Sequence, residues 1–340
     1  MSDDAARRKD AHLDLCLGAP VDSGVPTGLG SLSLEYDALP ELDLDEVDLG
    51  TTVLGKRLHA PIVVGAMTGG TERGRLINER LARAAARVGV GMALGSQRPM
   101  IERAELVPTY ALRDVAPELP LLIGNIGAVQ LNYGVGAAEL VRAIEAVGAD
   151  AMAFHLNPLQ EAIQPEGNTR FRGLAAKLGE VVRALPVPCL AKEVGAGISE
   201  RTARKLAALP LAGIEVGGVG GTSWAMVESL RAPPASPRAE AGRRLAGFGI
   251  PTAESIEICR RAMGERLVVA SGGMRTGMDV AVALACGADA AALARPLLEA
   301  AATSEDAVVH ALETLIFELR VIMFCTGAAN VAALRRVRVR

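Results

Sequence analysis

Eight short apolar runs, each followed by an amphipathic segment, predict an α/β chain closed into a (β/α)8 TIM barrel with an N-terminal extension. The polar and glycine-rich clusters stand directly after those runs, where such a barrel carries its catalytic rim. The length, 340 residues, suits one barrel plus an extension. The expected division is residues 1–60 for the extension and 61–340 for the barrel.

The first strand is read at Ile62–Ala66, with a helix at Thr71–Arg87. The second strand is Val90–Leu94 and the third Leu121–Gly124, followed by a helix over Val135–Val147. The fourth strand is Ala151–Phe154, with a helix near Leu174–Leu185. Cys189–Val194 is the fifth, with its helix at Ser199–Ala208, and Ala212–Val216 is the sixth. Leu267–Ala270 and Met278–Cys286 form the seventh pair. The eighth is Ala290–Ala294 with a helix through 305–323. Before the barrel, Arg8, Lys9 and His12 share one face if that segment is helical. Leu39–Leu49, where Asp and Leu alternate, reads as an edge strand or an outer connector. The proline- and arginine-rich stretch Arg231–Phe248 reads as either a lid over the mouth or a surface excursion.

Half the residues are hydrophobic and 3% are aromatic, so the core is aliphatic and alanine-rich. A net charge of -3 argues against a nucleic-acid binder. The basic end, Arg335–Arg340, reads as a solvated tail or as a partner or phosphate contact. The five cysteines, Cys16, Cys189, Cys259, Cys286 and Cys325, are widely spaced, which excludes a disulfide or zinc framework. Cys189, Cys286 and Cys325 lie in apolar runs and read as core thiols. The first residues lack the apolar stretch of a secretory signal, and no apolar run has membrane-spanning length, so the cytosol is expected.

The most polar cluster is Ala153–Phe171. His155, Asn157, Gln160, Glu161, Gln164, Glu166, Asn168 and Arg170 crowd one stretch, and no core accepts them unpaired. Pro158, Pro165 and Gly167 mark it as irregular backbone rather than helix. The other clusters are Ala66–Gly70, Gly95–Arg98, Asn125–Gly127, Lys192–Gly195, Gly217–Thr222, Ser271–Arg275 and Ala294–Pro296. The last two read as a phosphate site, where glycines admit the backbone and Arg275 adds charge. Lys192 ends an apolar strand; it suits an electron-rich flavin edge, or pairs with a core carboxylate such as Glu193.

Taken together these motifs carry a resemblance. Arg8-Lys9-x-x-His12, Met67–Gly70, Gly95–Arg98, His155–Gly167, Lys192–Gly195, Gly220–Trp224 and Ser271-Gly272-Gly273-x-Arg275-x-Gly277 occur in this order. The chain resembles the type 2, FMN-dependent isopentenyl diphosphate isomerases over nearly its whole length. It departs from them at Asn168, where that family usually has Asp.

The resemblance implies an isomerase of isoprenoid biosynthesis. It interconverts isopentenyl and dimethylallyl diphosphate by a 1,3-allylic proton shift, using reduced FMN, NADPH as reductant and Mg2+. It implies that Ala66, Met67, Thr68, Ser96, Asn125, Lys192, Thr222, Gly273, Met274, Arg275, Ala294 and Arg295 hold FMN. Arg8, Lys9, His12, Arg98 and Gln160 would bind the substrate, Gln160, His155 and Asn157 would form the catalytic group, and Glu161 would ligate Mg2+. It also implies a homo-oligomer, a tetramer or an octamer, with a small diphosphate as partner and neither nucleic acid nor membrane. The chemistry agrees: a diphosphate wants Arg and Lys donors, and Mg2+ needs only one or two carboxylates beside substrate phosphates. Arg8, Lys9 and His12 would clamp the diphosphate; the plainer reading is a disordered tail. The competing enzyme is an FMN-dependent 2-hydroxy acid oxidase. That family places a catalytic His in the loop after the sixth strand, and Gly217–Trp224 has none. A third reading is a flavin-binding protein without turnover.

Overall fold

The computed structural model describes residues 2–340, with side chains from Ala6 onward. The chain starts with α1 (Ser2–Gly18), and a hairpin of β1 (Thr51–Val53) and β2 (Lys56–Leu58) precedes the barrel. Eight parallel strands follow: β3 (Ile62–Val64), β4 (Gly91–Ala93), β5 (Leu122–Gly127), β6 (Ala151–Leu156), β7 (Cys189–Glu193), β8 (Gly213–Glu215), β9 (Leu267–Ser271) and β10 (Ala290–Leu293). They neighbour one another in that order, and β10 pairs with β3, Ala291 opposite Ile62, to close the barrel. Every expected barrel strand is present.

The helices between them are α2 (Glu72–Val88), α3 (Arg98–Glu102), α4 (Ala137–Val147), α5 (Pro158–Ile163), α6 (Leu174–Ala184), α7 (Glu200–Ala207), α8 (Trp224–Arg231), α9 (Pro237–Arg244) and α10 (Thr252–Met263). After β9 come α11 (Gly277–Ala285), α12 (Arg295–Thr303), α13 (Glu305–Phe324) and α14 (Val331–Leu334). Local chemistry sets their ends. The Thr71 hydroxyl accepts from the Gly74 N–H at 3.0 Å to start α2, and Gly89 at φ 78° stops it.

Alternation along each strand sorts the core. Val63, Ala93, Ile123, Ala151, Ala153, Leu190, Val269, Ala290 and Ala292 form one buried cluster inside the barrel. Their neighbours Ile62, Val64, Met92, Leu122, Ala191, Ile214 and Val268 pack outward with the helices. Val53 and Leu58 of the hairpin join the inner cluster, so β1–β2 plugs the end of the barrel away from the rim.

Several expectations change. Ala153–Phe171 is not all irregular: α5 occupies Pro158–Ile163 with Pro158 in its first turn, where the missing N–H costs nothing. Leu39–Leu49 is no strand; it is a connector that buries Val47 and Leu49. Arg231–Phe248 is not all irregular, since it contains α9, which packs against α8 and α5. There the Ser229 hydroxyl donates to Ala239 O at 2.6 Å, and a Cβ on Gly242 would meet Ala225 O at 2.5 Å. The basic C-terminus is tied down. Val339 bridges Leu34, and Arg340 and Ser33 exchange backbone hydrogen bonds of 2.9 and 3.0 Å. Cys189 is core, but Cys286 and Cys325 are only half-buried; Cys16 and Cys259 are the other buried thiols.

One sequence element is built twice. Gly148-Ala149-Asp150-Ala151 leads into β6 and Gly287-Ala288-Asp289-Ala290 into β10, half a barrel apart. Asp150 Oδ2 accepts from the Leu122 N–H at 2.8 Å and from Arg113, and Asp289 Oδ2 accepts from the Val268 N–H at 2.8 Å and from Arg260. Lys56 reaches Asp150 at 2.8 Å, and Arg335 reaches Asp289 at 2.6 Å. Each aspartate therefore locks a strand start to a cation from another element. Asp150→Ala or Asp289→Ala should each cost about 3 kcal/mol, because a charge is left without its partner. Denaturant midpoints measure this, and a loss well under about 1 kcal/mol would make these pairs ordinary surface contacts.

Candidate active site

The inward register that builds the apolar interior continues to the rim. Two residues beyond Ile123, Ala153, Leu190, Gly213 and Val269 stand Asn125, His155, Lys192, Glu215 and Ser271, all lining one cavity at the strand ends. The cavity holds about 1750 Å³ of empty space, its open mouth included. Every residue expected in the site lines it, from Arg8, Lys9 and His12 through His155, Asn157, Gln160 and Glu161 to Ala294 and Arg295.

Lys192 is buried and pairs with Glu215 on the adjacent strand, not with Glu193. Glu193 faces the other way, and its Oε2 accepts from the N–H groups of Val194, Gly195, Ala196 and Gly197 at 2.5–3.1 Å. Burial raises its pKa to about 7, opposed by those four donors. His155 Nδ1 donates to Asn125 Oδ1 at 2.9 Å, which fixes the tautomer and leaves Nε2 as an acceptor. Asn125 Nδ2 donates to Leu94 O at 3.0 Å, so this amide is largely spent inside the protein. Burial, then the charges of Lys192 and Lys9, lower the His155 pKa to about 3, and the ring is neutral.

The Ala153–Phe171 stretch supplies a network. Asn157 Nδ2 donates to Gln160 Oε1 and to Glu161 Oε1, each at 3.0 Å. The Asn168 N–H donates to Glu161 Oε2 at 2.5 Å. The Asn168 side-chain oxygen accepts from Arg98 at 3.0 Å and Gln130 at 2.9 Å. Residue 168 thus braces Glu161, the expected metal ligand, and Arg98, an expected substrate contact, with a neutral group. A carboxylate has about four lone-pair sites, so Glu161 keeps acceptor capacity for a cation. No group of three or more His, Cys, Asp or Glu forms a metal cluster among the described residues, so a cation held by Glu161 would need phosphate and water to complete its shell.

The N-terminal residues are ordered over the rim. α1 packs against α8, α12 and α2. The Thr71 hydroxyl donates to Asp10 at 2.9 Å, and Arg73 pairs with Asp14 at 2.5 Å. Lys9 is half-buried, its pKa lowered to about 8 by burial and by Arg8. His12 is no free cation. Burial lowers its pKa against the opposing pull of Glu228, whose Oε1 lies 3.0 Å from Nε2, and its ring stands edge-on to Trp224 at 5.1 Å.

Sequence reading missed Glu228. It is fully buried, accepts from Gln160 Nε2 at 3.0 Å and pairs with Arg231. In the orientation that satisfies both neighbours, the Gln164 amide donates to Glu228 at 3.1 Å and accepts from Arg8 at 3.3 Å. Glu228 lies in α8, which no strand-tip pattern marks. Glu215 was findable, two residues beyond Gly213 in the inward register.

The glycine clusters have a use beyond admitting a ligand. Gly272 and Gly273 adopt φ 107° and 71°, and a Cβ on either would lie 2.1–2.3 Å from the carbonyl oxygen of Gly218 or Gly220. The loops after β8 and β9 thus pack backbone against backbone. α12 starts at Arg295 with no side-chain cap; Pro296 has no N–H and the Leu297 N–H donates to Ala294 O at 3.0 Å, which leaves the Arg295 N–H of that first turn for an anion. Thr68 Oγ1 and Asn157 Oδ1 are buried without a partner, and both residues line the cavity. A phosphate-bearing flavin fits this donor set.

The depressed His155 pKa has a sign. Below the ordinary value of 6.5 the unfolded chain takes up a proton that the folded site refuses, so stability falls as pH drops from 6.5 toward 3. Melting temperatures of the ligand-free protein across that window should fall less for His155→Gln than for the wild type. Parallel curves would show the imidazole protonates freely in the site.

Residues 168–340 match the family described as FMN-dependent dehydrogenase. An isopentenyl-diphosphate delta-isomerase from Synechococcus sp. is 48% identical over 331 residues, covering 97% of this chain and 94% of the relative. The enzyme of that name from Deinococcus radiodurans is 46% identical over 329 residues, 96% of each chain. Among solved structures, a mandelate oxidase mutant with a monooxide FMN adduct aligns at TM-score 0.68 over 100% of this chain and 99% of the other. Mandelate oxidase with (S)-4-hydroxymandelic acid aligns at 0.65 over 100% and 97%. At 22% and 21% identity these two share the fold. With near-half identity along almost the whole chain, and with the barrel and cavity described above, the chain belongs to the isopentenyl-diphosphate delta-isomerase family.

Proposed function

We propose that the protein interconverts isopentenyl and dimethylallyl diphosphate in the cavity at the barrel rim. One observation carries the reading: a single cavity unites the glycine loops and Lys192 with Arg8, Lys9, Arg98 and Glu161. The first group suits FMN, and the second suits a diphosphate with its cation. Reduced FMN, when bound, supplies acid–base chemistry at the alkene. Its holders are Thr68, whose hydroxyl lacks a partner, the loops at Gly273–Arg275 and Ala294–Arg295, and Lys192. Ala66, Met67, Ser96, Asn125, Met274 and Thr222 complete the lining.

The chain's own groups bind and orient. Arg8, Lys9 and Arg98 grip the diphosphate by charge-assisted hydrogen bonds. Glu161 holds the cation, braced by Asn157 and Asn168. Gln160 is fixed at both ends of its amide, by Asn157 and by Glu228, each at 3.0 Å. That pairing fixes the direction of the Gln160 amide beside the substrate space. His155 presents a neutral acceptor nitrogen, consistent with a catalytic group that must not repel the Lys192 cation. Mg2+, NADPH as reductant, a cytosolic location and a homo-oligomeric state belong to the same proposal through the family resemblance. The oxidase reading loses its support, since the likeness to mandelate oxidase extends to the fold and the loop Gly217–Trp224 holds no His.

Flavin-loaded, reduced protein should convert isopentenyl diphosphate to dimethylallyl diphosphate, read by product analysis. Glu161→Gln should keep its flavin yet lose most activity and the response to Mg2+. An unchanged Mg2+ titration curve would remove Glu161 from the metal site. Lys9→Ala should raise KM about tenfold, the worth of one charge-assisted hydrogen bond, with flavin content unchanged. Equal KM for wild type and variant would place the substrate diphosphate elsewhere.

A further inference from the structure

Asp22 lies where the chain leaves α1 and crosses the rim. Its place is set by backbone: the Ser23 N–H donates to Gly221 O at 2.8 Å and the Ser223 N–H to Val21 O at 2.7 Å, an antiparallel bridge between Asp22 and Thr222. Its carboxylate is shared. Oδ1 accepts from Arg275 at 2.9 Å and Oδ2 from Arg295 at 2.8 Å. The two arginines come from the loops after β9 and β10, so one carboxylate on a third segment joins them.

Resting on the assignment of the flavin phosphate to those two loops, we infer that Asp22 is a positioning residue that orients both guanidinium groups toward that phosphate. It thereby ties the phosphate end of the flavin to the segment whose helix carries Arg8 and Lys9. Each guanidinium has five N–H donors; each commits one nitrogen to Asp22, and Arg295 also turns its Nε to Glu299 at 3.2 Å, so donors remain for a ligand. Two effects oppose each other. The carboxylate repels a nearby phosphate, but its side chain is 47% exposed, and water screens that repulsion. Without Asp22, Arg275 regains rotamer freedom that binding must then remove, and Arg295 is left with Glu299 alone to hold it. The Arg275 side chain is also 47% exposed and would lose its fixed direction, so the ordering effect dominates.

The test compares FMN with riboflavin, which lacks the phosphate, by fluorescence titration of the full-length protein freed of flavin. Asp22→Asn should weaken FMN about tenfold and leave riboflavin unchanged, and Asp22→Glu should recover part of the FMN affinity. Arg275→Ala should show the same selective loss. Equal weakening of both ligands by Asp22→Asn would mean a fold defect and would overturn the inference. So would unchanged or tighter FMN binding in Asp22→Asn while Arg275→Ala loses it. If Arg275→Ala keeps its preference for FMN over riboflavin, the phosphate assignment fails and the inference falls with it.

Discussion

A closed parallel sheet with a two-residue side-chain period allows no choice about which residues share its interior. That constraint governs this protein. Alanine and valine fill the inner layers, and the same register then delivers Asn125, His155, Lys192, Glu215 and Ser271 to the rim. Lys192 stands beside His155 on one flank and Glu215 on the other. Its charge is answered by Glu215 and helps to keep His155 neutral. A one-residue slip in β7 would put Glu193 inside and Lys192 among the outer helices. The electrostatics of the site thus follow from strand closure.

A second layer of control comes from buried carboxylates. Glu228, Glu193 and Glu161 each hold several donors, and none is a free acid facing solvent. Glu228 joins α1, α5 and α8 through His12, Gln160 and Arg231. Burying such a group is expensive unless it is fully bonded, so the three helices are held in one arrangement. The amide of Gln160 and the ring of His12 inherit their orientations from that arrangement.

Much of this was legible in the sequence, for physical reasons. Barrel strands are short apolar runs and their helices have a polar face, so both periodicities survive in one dimension. The rim residues follow, because they stand at strand ends. What escaped detection obeys other rules. Pro158 looked like a break yet begins α5, since a first-turn proline loses no hydrogen bond. Glu215 sat inside an apolar run and Glu228 inside a short helix, where a lone carboxylate looks like surface. Helix α9 lies in the proline- and arginine-rich stretch Arg231–Phe248, whose composition resembles a loop. The ordering of α1 depends on Asp10, Asp14 and His12 meeting partners about 60 to 216 residues away, which no local pattern reveals.

The pairing of Ser33 and Glu35 with the chain's last residues has a consequence for assembly. Glu35 and Arg340 are separated by 305 residues, and their contact closes the segment that leads from α1 toward the barrel. On a ribosome, residues 33–35 emerge long before residues 338–340 exist to pair with them. α1 also leans on α8 and α12, made two-thirds or more of the way along the chain. α1 therefore cannot find its place until α8 and α12 have been made. Until then the mouth of the barrel is open, and a nascent chain cannot yet present the complete set of cations to a diphosphate. The cations of α1 thus join the site only after α8 and α12 exist to receive them, a form of timing written into connectivity alone.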